Sequence, residues 1–192
     1  AMLVGGALLM FSLSLGDGTH ESWIDSGVRM GTGHVTVESP DFQVTRKIEN
    51  RLSADARAAI EDALREPGVA ELVTAVSAKM IVRGLASSAA GARPVQVLGV
   101  EPLAEAEFST LDEQVVEGRY LEPGDGLAAY VGVGLVESLD LRLGSRLVVT
   151  AQDVDKEIAG QLLRVVGVFR SGVPAIDQAL VHVPLETVGA WL

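Results

Sequence analysis

The sequence predicts an α+β fold in two lobes. In the part of the chain beyond residue 30, alternating apolar and polar residues indicate strands both near its beginning and at its end. An amphipathic helical segment follows the first of these strands, and the middle of the chain is rich in strand patterns separated by glycine turns. Because strand–helix–strand portions flank this β-rich insertion, we expect one lobe to form from the two ends and a second lobe from the middle.

The first predicted strand covers residues 33–39, which read GHVTVES. In this stretch Val35 and Val37 point to one face, and the polar residues between them point to the other, as is typical of a half-buried strand. Pro40 ends the strand because proline has no N–H to donate to a neighbouring strand.

The first predicted helix follows Ser53, whose hydroxyl makes it a good N-cap residue. The next residues read ADARAAIEDALR, and Pro67 and Gly68 then end the helix. Four apolar residues of this stretch fall on one helical face, which is the pattern of an amphipathic helix: Ala56, Ile60, Ala63 and Leu64.

A β-hairpin is predicted next. Two alternating stretches, residues 75–87 and 94–102, enclose the small and flexible sequence SSAAGAR. In the first stretch, alternate positions are apolar and are expected to face a core: Val76, Ala78, Met80 and Val82.

The rest of the chain starts with an acidic, loop-rich stretch over residues 104–126. Residues 130–141 then predict the end of a strand, a glycine turn and a short helix. Pro184 opens the last predicted helix, since proline is tolerated in the first turn. Between these two helices lie three predicted strands, within residues 143–152, 162–172 and 179–184.

The chain begins with an uncharged stretch, residues 1–15, which is shorter than the roughly 20 apolar residues of a spanning helix. It fits a secretory signal core, a buried core helix, or the outer part of a transmembrane helix that starts upstream. We favour the third, because small residues suit close packing between membrane helices. Asp17 is costly in hydrocarbon, so we expect the bilayer boundary near it. The small residues are Gly5, Gly6, Ser12 and Ser14.

Composition excludes several classes of function. Lys and Arg number 15 against 26 Asp and Glu, and the resulting net charge of −11 disfavours a nucleic-acid partner. The chain has no cysteine, which excludes thiol catalysis, disulfides and cysteine-based zinc sites. Aromatic residues make up only 4%, so a ligand pocket lined by aromatic side chains is not expected.

Motifs that carry enzyme chemistry are weak. The stretch VGVGLVES has Gly132 and Gly134, but Glu137 stands where a dinucleotide-binding loop needs a third glycine. The sequence contains no P-loop and no G-x-S-x-G nucleophile elbow. The three histidines, His20, His34 and His182, are far apart and show no metal-binding spacing. The sequence therefore favours a domain that is not an enzyme and binds no metal.

One acidic stretch has the spacing of oxygen ligands. Asp153, Asp155 and Glu157 alternate, which is conceivable for calcium. Lys156 lies between them and the stretch has no loop glycine, so a solvated surface turn is the preferred interpretation.

Several longer motifs occur together in a fixed order: GDGTHE, GTGHVTVESP, VLGVEP, EGRYLEPGDG, VGVGLVESLDLRLGSRLVVTAQD, RVVGVFRSGVPAID and VHVPLETVGAWL. In this order the chain resembles the extracytoplasmic domain of MacB-type ABC transporter permeases. The resemblance is strongest to the lipoprotein-releasing LolC/LolE branch, and FtsX-like proteins are relatives of the same family. It covers essentially the whole chain, and the block from EGRYL to VVTAQ is the most specific part.

The resemblance implies a fold with a βαβ-type Porter lobe and an inserted, β-rich Sabre lobe, preceded by the end of a transmembrane helix. On this basis residues 1–28 form the outer end of the first membrane helix and its stalk. Residues 29–105 and 165–192 form the two parts of the Porter-like lobe, and residues 106–164 form the Sabre-like lobe. Gly16 and Gly18 are a candidate hinge, because glycine weakens a helix.

The same resemblance implies a function in transport. The domain would lie in the periplasm at the bacterial inner membrane and couple ATP hydrolysis to the movement of an amphipathic cargo, by mechanotransmission. ATP would bind a separate cytoplasmic ABC ATPase, so no cofactor is expected in this domain. Expected partners are that ATPase, a second permease copy or a paralogue, a lipoprotein or lipid cargo, and a periplasmic carrier.

A candidate partner-contact loop lies where the LolC branch has a protruding hairpin. Here the segment is short and acidic and lacks a proline-containing hook, which makes it more similar to LolE. An alternative function is an FtsX-like, membrane-anchored module that binds a periplasmic partner such as a cell-wall hydrolase. The loop consists of Gln152, Asp153, Val154, Asp155, Lys156, Glu157 and Ile158.

Overall fold

The computed structural model describes residues 33–192. By its internal contacts the chain divides into two compact units, residues 1–36 and residues 37–192. The apolar stretch 1–15, the candidate hinge residues Gly16 and Gly18 and the whole predicted stalk lie outside the described residues. In the first unit, residues 33–36 form neither helix nor strand.

Seven strands form one sheet in the second unit. Their order is β3-β6-β4-β7-β2-β1-β5, and β5 also pairs with β6, so that six strands close into a ring and β3 extends one end of β6. The pairs β2–β7 and β4–β6 are parallel and the others are antiparallel. The strands are β1 Lys79–Ser88, β2 Gly91–Val100, β3 Val115–Gly118, β4 Ala128–Gly132, β5 Arg146–Gln152, β6 Ile158–Phe169 and β7 Leu180–Pro184.

Seven short helices and one 3-10 turn precede, connect or follow these strands in the described part of the chain. The 3-10 turn is Ile48–Asn50. Four of the helices have proline in their first turn, where its missing N–H is no loss. The helices are α1 Pro40–Thr45, α2 Ala54–Leu64, α3 Pro67–Ala70, α4 Pro102–Phe108, α5 Val133–Ser138, α6 Pro174–Ala179 and α7 Leu185–Trp191.

Two hydrophobic cores lie on opposite faces of the sheet. The first contains alternate residues of all six ring strands, and it therefore fills the interior of the ring, where Leu135 of α5, Val188 of α7 and Ile48 complete it. The second lies on the outer face of β2, β7, β4 and the end of β6, and it includes Tyr130 and Phe169.

Local predictions from the sequence were mostly confirmed. Ser53 caps α2 by accepting a hydrogen bond from the Ala56 N–H at 3.2 Å. The predicted hairpin is the antiparallel pair β1–β2, and the predicted strand, turn and helix of residues 130–141 are β4 and α5. The predicted strand over residues 33–39 is wrong: no strand forms there, and Val37 is exposed. An alternating pattern makes a strand only where a neighbouring strand supplies hydrogen-bond partners.

The mixed α/β fold agrees with the expected class. All seven strands share hydrogen bonds in one sheet, including strands from both expected lobes, and the expected boundary between residues 164 and 165 falls inside β6. The division into two lobes and its boundaries stay a prediction. No helix within residues 33–192 is long and apolar enough to cross a membrane.

Candidate functional site

Three segments of the chain meet at one edge of the sheet. Lys79, the first residue of β1, is paired with Val100 at the end of β2, and Val100 is paired with Pro184 at the end of β7. We call the edge formed by these three residues the junction edge. The chain enters the sheet here from residue 78, and α4 and α7 start close to it.

A buried ion pair holds the junction edge together. The Lys79 Nζ donates a hydrogen bond to Glu105 Oε1 at 2.9 Å, and the Ser77 hydroxyl donates to Glu105 Oε2 at 2.8 Å. The side chain of Glu105 is 1% exposed and that of Lys79 is 14% exposed. A buried carboxylate is stable only when it is paired and hydrogen-bonded, so both oxygens of Glu105 need these partners.

The position of Glu105 follows from the short helix α4. Pro102 opens this helix, and Glu105 lies in its first turn, where a negative charge is favourable near the helix N-terminus. The first turn of α4 therefore directs the Glu105 carboxylate toward Lys79, across the end of the hairpin β1–β2.

A second, exposed connection joins α2 to the same region. The Arg57 Nη2 donates to Glu101 Oε1 at 2.9 Å, and the Arg57 Nε donates to Glu61 Oε1 at 2.8 Å. The hydrogen bond to Glu61 and then that to Glu101 raise the pKa of the Arg57 guanidinium. All three side chains are about half exposed, so solvent screening leaves these pairs weak.

A buried histidine lies two residues from the junction edge. His182 of β7 is fully buried, with Tyr120, Tyr130 and Phe169 at ring-centroid distances of 6.2, 6.3 and 6.3 Å. The Nδ1 of His182 lies 3.4 Å from the Tyr120 hydroxyl, and its Nε2 has no hydrogen-bond partner among residues 33–192. Burial, and then the charge of Lys79, lower the pKa of His182 to about 3, so the imidazole is neutral at physiological pH.

The motif EGRYLEPGDG has a structural basis in an arginine–aspartate pair. Arg119 donates to both carboxylate oxygens of Asp125, at 2.7 and 2.6 Å, and Asp125 Oδ2 accepts the backbone N–H of Glu122 at 2.8 Å. The Arg119 hydrogen bonds hold the pKa of Asp125 below its usual range. The Arg119–Asp125 pair closes the loop that contains Tyr120, and Tyr120 packs against the ring of Tyr130 with ring centroids 5.0 Å apart.

The candidate partner-contact loop is the tight turn between β5 and β6. The Asp153 Oδ1 accepts the backbone N–H groups of Asp155 and Glu157, both at 2.9 Å, and the Gln152 side chain donates to the Lys156 carbonyl at 3.0 Å. These bonds occupy Oδ1 of Asp153, the first of the three acidic residues Asp153, Asp155 and Glu157.

Other contacts tie the loop to the body of the domain. The Lys156 Nζ lies 3.8 Å from Glu49 Oε1 on the 3-10 turn, and Val154 packs against the interior core. Ile158, by contrast, is 81% exposed at the start of β6. The loop is thus partly engaged within its own domain, and its contact with a partner stays a prediction.

The glycines of VGVGLVES have a packing role. A Cβ on Gly132 would overlap the backbone carbonyl of Asp177 in α6, and a Cβ on Gly134 would lie 2.8 Å from the Gln178 side chain. These glycines allow α5 and α6 to approach closely. Among residues 33–192, no group of three or more metal-binding side chains is arranged to hold a metal ion.

Sequence reasoning missed the Lys79–Glu105 pair because the two residues are 26 positions apart and meet only through the hairpin register. His182 was recognised only as a histidine within a strand. Its neighbours explain its burial, since Tyr130 of β4 and Leu98 of β2 are its partners on the adjacent strands.

Comparison with known protein families identifies the family of this chain. A family model described as the MacB-like periplasmic core domain matches residues 1–192. No curated protein matches the chain.

Among solved structures, the fold is similar to the crystal structure of the extracellular domain of the noncanonic ABC-type transporter YknZ from Gram-positive bacteria, with a TM-score of 0.51 and 19% sequence identity. The match covers 69% of this chain and 64% of that one, so the chain spans about two thirds of the length of that domain. At this identity the likeness concerns the fold. The match of the family model over every residue decides the assignment: the chain belongs to the family of MacB-like periplasmic core domains.

Proposed function

We propose that this chain is the extracytoplasmic domain of an ABC transporter permease, and that it couples cytoplasmic ATP hydrolysis to the extraction or export of an amphipathic cargo. The observation that carries the proposal is the match of the MacB-like family over residues 1–192. The fold likeness to the extracellular domain of an ABC-type transporter supports it.

The arrangement of the junction edge is suited to mechanical coupling. The chain enters the closed sheet at Lys79, and α7, which leads to residue 192, packs against β1, β2 and β7. A force applied through either segment would reach the same three strands. The buried Lys79–Glu105 pair fixes the entry point, and the packed interior core makes the ring stiff.

The proposed partners follow from this role. A cytoplasmic ABC ATPase would hydrolyse ATP, and a second copy or a paralogue of the permease would complete the transporter at the inner membrane. The cargo would be a lipoprotein or a lipid, passed to a periplasmic carrier, as the resemblance to the LolC/LolE branch implies.

The proposal is tested on the full-length permease with its ATPase in proteoliposomes. Because the chain has no cysteine, a single cysteine at the exposed Leu72 or Val148 allows a bifunctional maleimide to join the domain to its paired permease. We expect the locked complex to lose cargo release while it keeps basal ATP hydrolysis. The same variants treated with a monofunctional maleimide serve as the control and should release cargo normally.

Normal cargo release from the locked complex would contradict the proposal. The alternative role, an FtsX-like module that regulates a cell-wall hydrolase, predicts a different pattern. In that case deletion of the domain would leave cargo transport unchanged and would abolish activation of the hydrolase.

A further inference from the structure

One face of the ring carries an unusual set of outward side chains. It consists of the outward positions of β1, β5 and the first half of β6, which lie opposite the interior core. We call it the arginine face. Its outward residues are Arg83, Leu85 and Ser87 on β1, Arg146, Val148, Thr150 and Gln152 on β5, and Ile158, Gly160, Leu162 and Arg164 on β6.

The charge of this face is opposite to that of the chain. The chain has a net charge of −11, yet the outward positions of these strands hold three arginines and no Asp or Glu. Arg83 lies at one end of the face and the pair Arg146 and Arg164 at the other, about 20 Å apart along the strands at roughly 3.4 Å per residue. The acidic residues of the turn between β5 and β6 come only after the strands end.

Two of the arginines face each other at a cost to the fold. Arg146 and Arg164 are direct cross-strand partners in the pair β5–β6, and like charges in this position are destabilising. Within the described residues neither forms an ion pair, and the Arg164 guanidinium donates only to the Gly144 carbonyl, at 3.2 Å. Two opposed guanidinium groups that lack a carboxylate within their own domain form a ready binding place for an external carboxylate.

The centre of the face is apolar. Val148 and Leu162 are direct cross-strand partners, and Leu85 lies diagonal to Val148 on the next strand. Their exposed fractions are 38%, 45% and 45%, so they are accessible to a partner although their neighbours partly cover them. An exposed aliphatic centre with charged residues at its ends is typical of a surface that binds another protein.

We propose that the arginine face binds a partner protein that presents carboxylates around an aliphatic patch. Charge complementarity argues for this occupant, because none of the three arginines forms an ion pair with another residue in the range 33–192. A symmetric contact with the same face of a second copy would bring arginines together and is disfavoured. Binding to an anionic membrane is disfavoured because the chain as a whole is acidic, with a net charge of −11.

The proposal goes beyond the transporter role and does not depend on it. The test uses the full chain in detergent micelles and a fluorescent synthetic peptide of Glu, Leu and Val, with a Lys, Leu and Val peptide as the opposite-charge control. We expect the acidic peptide to bind, and its affinity to fall as salt is raised. In the variant Arg146→Glu/Arg164→Glu we expect its affinity to fall by at least about tenfold.

A single charge reversal away from the arginine face is the control, matched in charge change to the single variant Arg164→Glu. The control variant Arg93→Glu reverses an exposed arginine on β2. Arg93 is the cross-strand partner of the inward-facing Ala86, so it lies on the opposite face of the sheet from the arginine face. We expect this variant to leave peptide affinity unchanged. Because Arg164→Glu creates an attractive pair with Arg146, loss of binding in that single variant cannot be attributed to unfolding.

Equal binding of the acidic and basic peptides would overturn the proposal. So would an affinity for the acidic peptide that is the same in the variant Arg146→Glu/Arg164→Glu as in the unmodified chain. Binding of anionic phosphatidylglycerol vesicles that depends on Arg146 and Arg164, without binding of the peptide, would replace the protein partner with a lipid surface and would also overturn it.

Discussion

The Lys79 Nζ and the Glu105 Oε1 are 2.9 Å apart and almost closed off from solvent. This pair joins the first residue of the sheet to the helix that follows the hairpin, at the edge where α7 also starts. Removing one partner of a buried ion pair leaves the other charge without compensation, which costs about 3–5 kcal/mol. We expect Lys79→Met to lower the free energy of unfolding by an amount of this order, as measured by urea unfolding with circular dichroism.

The double variant Lys79→Met/Glu105→Gln is the matched control. It removes both charges, and the neutral amide can still accept the hydrogen bond of Ser77. We expect it to recover most of the lost stability, because an apolar or neutral replacement of a buried pair is often close to neutral. If the double variant is as unstable as the single one, the loss of stability does not come from an uncompensated charge on Glu105.

Stability should fall in mild acid because of His182. Its pKa is about 3 in the folded protein against 6.5 for a free side chain, so the unfolded chain binds the proton more tightly. The stabilising contribution is therefore complete above pH 6.5 and is lost progressively as the pH falls toward 3. Between pH 6.5 and pH 5 the expected loss is about 2 kcal/mol, at about 1.36 kcal/mol per pH unit.

The replacement His182→Phe tests this pH dependence. It keeps an aromatic ring beside Tyr130 and removes the titrating group, so the difference in unfolding free energy between pH 6.5 and pH 5 should shrink by about 2 kcal/mol. Burial raises the pKa of Asp112, which favours the folded state in acid, but Asp112 is present in both proteins and so cancels in the comparison. An unchanged pH dependence in the variant would show that His182 does not carry it.

Local pattern was sufficient to predict most elements but not their pairing. The cap at Ser53, the hairpin and the strand–helix unit of β4 and α5 each depend on neighbouring residues, and each was predicted. The closure of the ring depends on β6, which pairs with β5 through its first half and with β3 and β4 further along. No local pattern encodes which distant strands meet, so the sequence did not predict that all seven strands share one sheet.

The candidate site was harder to predict for the same reason. The loop 152–158 could be located from the sequence because a turn has a local signature. The arginine face and the Lys79–Glu105 pair exist only once the register is fixed, since a shift by one residue would turn Arg146 and Arg164 into the interior.

Gly132 should be intolerant of any side chain. An added Cβ would overlap the backbone carbonyl of Asp177, so Gly132→Ala must push α6 away from the end of β4. Overpacking of this kind typically costs about 1–3 kcal/mol. The control is Gly160→Ala on β6, where a Cβ would meet nothing within 4 Å and the backbone conformation suits any residue. Thermal unfolding should show a lower melting temperature for the first variant and no decrease for the second.

Reversing one arginine of the opposed pair should stabilise the fold. In Arg164→Glu a carboxylate replaces a guanidinium directly across from Arg146, so a repulsive cross-strand pair becomes an attractive one. Cross-strand pairs of opposite charge contribute roughly 0.2–1 kcal/mol, and we expect a gain of this size in the free energy of unfolding at low salt. Raising the salt concentration should reduce the gain, because both side chains are exposed.

The control Arg93→Glu makes the same charge change away from the pair. The difference in unfolding free energy between the two variants therefore isolates the cross-strand interaction with Arg146. A variant Arg164→Glu that is less stable than the unmodified chain would show that the opposed arginines are not a cost to the fold, and that no external carboxylate is needed to explain them.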